Sequence, residues 1–218
     1  DEDERRRTEA IIKPILRGRD INRYYYEWAG LWLLFIPWHF PCHKDLSIQG
    51  ASRRAENEFR RQFTAVHNHL LNYKNKLMKR NKQEVGVRYE WYALQRCAAT
   101  YYDEFEKEKA VWAETSQEVK MCIVPPGFYL QKTCFMLLGA KPRYYAGLIN
   151  SSLIDWYARK LAHQLGSRGI YLSETFMCSL PLRPLTYTIE STVAQIEQLV
   201  STILEAKNQN PQVDTINW

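Results

Sequence analysis

The chain has no run of apolar residues near the roughly 20 that a membrane-spanning helix needs, which argues against a membrane partner. Its five cysteines (Cys42, Cys97, Cys122, Cys134, Cys178) include no CxxC pair. Dispersed and odd in number, and without a secretory leader, they are expected to be reduced thiols in the cytoplasm of a bacterial or archaeal cell. Neither GxGxxG nor GxxxxGK[ST] occurs, so no phosphate-cradling loop is expected. The GxSxG turn of a nucleophilic serine is also absent. The first residues, DEDERRR, include no methionine, so the chain is expected to be an excised part of a longer polypeptide.

What is present belongs to a folded chain with a basic balance. Over 218 residues, 45% are hydrophobic and 13% aromatic, too many for disorder and enough to bury a sizeable core. Thirty Lys and Arg against 24 Asp and Glu give a formal charge of +6, which favours an anionic partner.

The stretch 13–36 concentrates that chemistry. Arg17-Gly18-Arg19-Asp20 and Arg23 precede three tyrosines, and the unbroken apolar run 31–36 follows. Cations around a glycine suit a turn offered to a polyanion, and the apolar run predicts a buried strand beneath it. Residues 1–10 are an acidic-then-basic run, expected to be a frayed lead-in. Pro14 confines 11–16 to an edge or a turn. His39, Cys42 and His43 lie close together but lack the second ligand pair that zinc needs, so no metal site is expected.

Residues 53–82 read as one long helix. Phe59, Phe63, Val66, Leu70, Tyr73 and Leu77 repeat at four-three spacing, with no proline or glycine between them. Its other face carries nine Lys and Arg, including Lys74, Lys79, Arg80 and Lys82, against Glu56 and Glu58. Residues 109–113, 117–123, 127–130 and 134–138 read as strands. Residues 144–165 read as a second amphipathic helix, interrupted or re-capped at Asn150-Ser151-Ser152. Gly166 and Gly169 bracket Arg168 ahead of a short strand bearing Tyr171. Residues 188–207 read as a third helix, whose Ile189, Val193, Ile196, Val200 and Ile203 are spaced for packing on the chain's own domain or a parent helix.

One spacing resembles catalytic machinery. Asp103 followed by Glu118-Val119-Lys120 matches the acid and E-x-K pattern of metal-dependent nucleases, although the usual proline is missing. An enzyme of that class is one alternative. A scaffold that docks a partner through the C-terminal helix is another.

Taken in order, IKPILRGRDINRYYYEW, an aliphatic strand, HLLNYKNKLMKR, WYALQRC, YYDEFEKEKAVWAE and YYAGLINSSLIDWYARKLAHQLGSRGIYLSETFMCSLPL resemble one module. It is the TaqI-like C-terminal specificity domain, the target-recognition domain of adenine-N6 DNA methyltransferases and of fused type II restriction–modification enzymes. The resemblance covers 11–182. Its departures are Ala98-Ala99-Thr100 before the tyrosine pair and Ala113 where a proline is common.

The resemblance implies an α+β fold: a mixed, strand-rich recognition domain over 1–183, with two long amphipathic helices, followed by a C-terminal helix and tail over 184–218. It implies sequence-specific recognition of double-stranded DNA in a restriction–modification or phage-defence methyltransferase. The catalytic domain would lie elsewhere in the same polypeptide, with or without a fused endonuclease. That domain would hold S-adenosylmethionine and act on a flipped adenine. Neither the family's Asn/Asp-Pro-Pro-Tyr/Phe motif nor its glycine-rich cofactor loop occurs here, so this part is expected to recognise, not catalyse, and to hold no cofactor. For base contacts the expected residues are Arg17, Arg19, Arg23, Arg88, Arg96, Arg168 and Tyr171. For phosphates they are Lys74, Lys79, Arg80 and Lys82. Asp20 is expected to orient Arg19 or to cap the turn.

Overall fold

The computed structural model describes residues 1–97, 101–186 and 189–215. The departure at 98–100 and the first residue of the expected 188–207 helix therefore lie outside the described residues. The chain divides into two compact units, Asp1–Lys13 with Trp32–Tyr102, and Pro14–Leu31 with Asp103–Trp218. The stretch 14–31 is thus an excursion, contributed by the N-terminal part of the chain to the second unit.

In the first unit, the charged lead-in is an ordered helix, α1 (Glu2–Ile11). Asp1 caps it, accepting from the Glu4 N–H at 2.6 Å, and its first turn is acidic, which suits the helix dipole. Chain strand β1 (Ile12–Leu16) follows. The run 31–36 yields only a short strand, β2 (Trp32–Leu34). Leu31 and Trp32 are exposed, and it is Ile36 that reaches the core.

The long helix expected over 53–82 is three helices: α2 (Arg53–Gln62), α3 (Thr64–Leu71) and α4 (Lys74–Met78). No glycine or proline causes the break at Phe63. Its backbone turns out of the helical region (φ −131°, ψ 52°) as its ring packs against Phe40 and Phe59. The backbone groups freed there are taken up by α1. Arg7 Nε donates to the Gln62 carbonyl at 3.2 Å, and Glu4 accepts from the Ala65 N–H at 2.7 Å. The charges that resembled a solvated tail therefore cap a break in the sequence's strongest helical pattern. The aromatic core of this unit gathers Phe40, Phe59, Phe63, Tyr89, Trp91 and Tyr92.

The second unit is built on β3 (Lys109–Ala113), buried at all five positions. The next elements are β4 (Thr115–Ser116), β5 (Met121–Val124), β6 (Tyr129–Leu130) and β7 (Cys134–Leu137). β3 is the centre of an antiparallel sheet in the order β5-β3-β7, with Val111 opposite Cys122 and Met136. Ile15 and Leu16 of β1 pair in parallel with Tyr129 and Leu130 of β6.

The expected helix over 144–165 is indeed re-capped, as α5 (Pro142–Ile149) and α6 (Ser152–Leu161), with the Ser151 hydroxyl accepting from the Ile154 N–H. It ends at Leu161 and not at Gly166, ahead of β8 (His163–Gln164). β9 (Ile170–Tyr171) lies between β8 and β4, both antiparallel to it. A short helix, α7 (Glu174–Cys178), comes next. The C-terminal helix, α8 (Glu190–Gln209), folds back on α5. Gly147 lets the two helices approach closely, since a Cβ there would lie 2.8 Å from Ile196 and 3.0 Å from Val200. The architecture is a mixed α+β fold, and no helix among the described residues is long and apolar enough to cross a membrane.

Candidate nucleic-acid interface

Gly18–Asp20 forms a single 3-10 turn. Asp20 is buried, and its carboxylate faces back to Arg17, not to Arg19. It accepts from the Arg17 backbone N–H at 2.8 Å, from Nε at 3.1 Å and from Nη2 at 2.7 Å. Burial alone would raise the Asp20 carboxyl. The guanidinium and backbone donors of Arg17 outweigh that and hold it below the ordinary carboxylate range. The Arg17 guanidinium is thus fixed along one edge. Gly18 seats the turn: a Cβ there would lie 3.3 Å from Ala113 and 3.4 Å from the Thr133 carbonyl.

The turn lines a cleft of about 440 Å³. Arg17, Arg19 and Asn22 contribute to it from the turn, and Glu114, Gln117, Lys120, Gln131 and Thr133 are among the other residues that line it. Cations mixed with side chains that both donate and accept are the groups that read base edges. Tyr171 donates its hydroxyl proton to Glu114 Oε1 at 3.1 Å, a bond that raises the phenol's pKa. Gln117 Nε2 donates to the Ser167 carbonyl at 2.8 Å, tethering the Arg168 loop to the same cleft. Gly169 completes the seating at φ +92°, with its Cα so close to Ser116 that a Cβ would lie 2.2 Å from the Ser116 carbonyl oxygen. Arg168 itself is exposed.

The second unit therefore brings together five of the eleven residues expected to meet DNA. Arg17 and Arg19 line the cleft, while Arg168 and Tyr171 are anchored to its wall. Arg23 sits 3.5 Å from Glu118, whose carboxylate also lies 3.3 Å from Lys120 and 3.9 Å from Arg159. Glu114, Gln117, Gln131 and Thr133 were not singled out from sequence, because scattered polar residues carry no spacing signal.

The other six lie in the first unit. Lys79, Lys82 and Arg96 are exposed. Lys74 stands 4.8 Å over the Trp91 ring and 3.9 Å from Glu56. Arg88 stacks 5.4 Å over Trp38 and pairs with Glu84 at 3.3 Å. Arg80 is half-buried and donates to three backbone carbonyls, those of Leu77, Trp91 and Ala93, at 2.8–3.0 Å. Its guanidinium braces the end of α4 against the 91–93 segment.

Glu118 is occupied by cations, and no group of three His, Cys, Asp or Glu able to hold a metal occurs among the described residues. His39, near Cys42 and His43, instead directs both its backbone N–H and Nδ1 at the buried Glu90.

A family model described as the TaqI-like C-terminal specificity domain matches residues 13–182, a span that holds the turn, the cleft and the Arg168 loop. No curated protein matches the chain.

Proposed function

Because the chain belongs to the TaqI-like C-terminal specificity domain family, we propose that it reads a short double-stranded DNA sequence for an adenine-N6 methyltransferase domain of the same polypeptide. The setting is a restriction–modification or related phage-defence system. The observation that carries this reading is the cleft, where a guanidinium fixed by a buried carboxylate stands among uncharged hydrogen-bonding side chains. A phosphate-only interface has no need of such groups, since charge alone holds the backbone. Arg17, Arg19, Arg168 and Tyr171 supply base contacts, and the exposed Lys79 and Lys82 supply phosphate contacts. S-adenosylmethionine and the methyl transfer belong to the catalytic domain, and this chain presents the sequence to it.

Selection of bound duplexes from a randomised pool tests the proposal. One short sequence should be enriched, with affinity falling as salt rises. Lys79→Ala with Lys82→Ala should weaken every duplex alike and flatten the salt dependence. A pool that emerges without any preferred sequence would refute the recognition role.

A further inference from the structure

The cleft presents two side chains, each with one edge engaged and one edge open. Asp20 occupies Nε and one proton of Nη2 on Arg17. The planar guanidinium keeps its other edge, Nη1 with the second Nη2 proton, without a partner among the described residues. That end-on fork matches the O6 and N7 acceptors of guanine in the major groove. In the same cleft, Glu114 accepts from the Tyr171 hydroxyl at Oε1, and its Oε2 accepts from no group among the described residues. A carboxylate oxygen is the acceptor suited to the N4 amino group of cytosine.

A guanidinium fork could equally hold a phosphate, and Arg19 and Lys120 also line the cleft. The charge of Arg17 itself is offset at 2.7 Å by Asp20, however, Lys120 lies 3.3 Å from Glu118, and Glu114 adds a negative charge to the cleft. A neutral base edge meets no such repulsion, and hydrogen-bond geometry decides the fit. We infer that this cleft reads one G·C base pair, with Arg17 on the guanine and Glu114 on its paired cytosine. Asp20 and Tyr171 act as positioning residues that aim them. The inference rests on the DNA-recognition reading above and adds the base pair and the residues that read it.

The test uses the 218-residue chain and the duplex selected by it. Changing one G·C pair to A·T should weaken binding roughly five- to a hundredfold. Arg17→Lys keeps the charge beside Asp20 and loses the fork, so it should abolish discrimination at that pair alone. Asp20→Asn should relax the same position, as should Glu114→Ala. Replacing that guanine by 7-deazaguanine, which lacks the N7 acceptor, should weaken the parent chain and leave Arg17→Lys unaffected.

Arg17→Lys or Asp20→Asn variants that melt earlier with an unchanged sequence profile would make the pair a brace and overturn the inference. Relaxation by Arg17→Lys and Glu114→Ala at different base pairs would overturn it as well. In both cases DNA recognition would stand, whereas a chain that selects no duplex would overturn both readings.

Discussion

Gly169→Ala strikes the backbone contact that seats the Arg168 loop on the cleft. The new Cβ would lie 2.2 Å from the Ser116 carbonyl oxygen, 2.8 Å from its carbon and 2.9 Å from Gln117 Cα, against an ordinary contact of 3.4 Å or more. Backbone is on the receiving side, so no side-chain rotation relieves the overlap, and the loop must shift by about 1 Å. At φ +92° and ψ −136°, alanine also enters a region that L residues avoid, at about 1–3 kcal/mol. The two together make a loss of ~3 kcal/mol or a remodelled loop.

Gly166→Ala is the internal control. Its φ is +61°, with nothing within 4 Å of the added Cβ, so only the left-handed penalty of about 1–2 kcal/mol applies. Equilibrium urea unfolding measures both losses, and duplex selection shows whether Gly169→Ala alone alters the sequence preference. If Gly169→Ala proved no more destabilising than Gly166→Ala, and selected the same duplex as the parent, the reasoning would fail.

Two predictions concern buried titratable groups. Lys109 is fully buried, its ammonium donating to the carbonyls of Phe105, Lys107 and Pro125 at 2.8–3.2 Å, and burial pushes its pKa down to about 8. Lys109→Met leaves those carbonyls without their shared donor and should cost ~2–4 kcal/mol at neutral pH. From pH 8 to 10.5 the unfolded chain binds the extra proton, so stability rises with pH in the parent and loses that rise in the variant, as urea midpoints across that range would show. A midpoint unmoved by the substitution would contradict the carbonyl cage. His67 is buried between Phe59 and Trp91, and neither of its ring nitrogens has a hydrogen bond of normal geometry among the described residues. Burial lowers its pKa below 6.5, so the unfolded chain protonates first and stability falls as pH drops below 6.5. His67→Phe should raise stability by about 1–2 kcal/mol and flatten that acid loss in thermal melts; a variant less stable than the parent at pH 7 would count against it.

Local signals survived folding where tertiary packing agreed with them. The RGRD turn, the buried β3 and the interruption at 150–152 were readable because glycine, apolar density and a capping serine each act on their own neighbourhood. The seam of α8 was readable as a period, though not that Gly147 would receive it, because a lone small residue has no period. The 53–82 helix failed as one element because the side chain of Phe63 is worth more in the aromatic cluster than its backbone is worth in a helix. The partner of Asp20 was missed because Arg19 is its neighbour in sequence, whereas Arg17 stands three residues back. Only the turn's geometry, which closes Asp20 onto the residue three back, separates them.

The excursion of 14–31 has a consequence for biosynthesis. Leu16, with no exposed surface, and Ile21 are packed by residues that the ribosome adds only after Tyr102. At roughly 5–20 residues per second, this apolar segment waits several seconds for its strand partner at 129–130. The first unit is complete once Tyr102 has been added, while the second is not. A single cut at the 102–103 boundary would likewise leave the second unit without the turn that carries Arg17, so moving that unit intact by recombination requires three crossovers within these residues, at 13/14, 31/32 and 102/103.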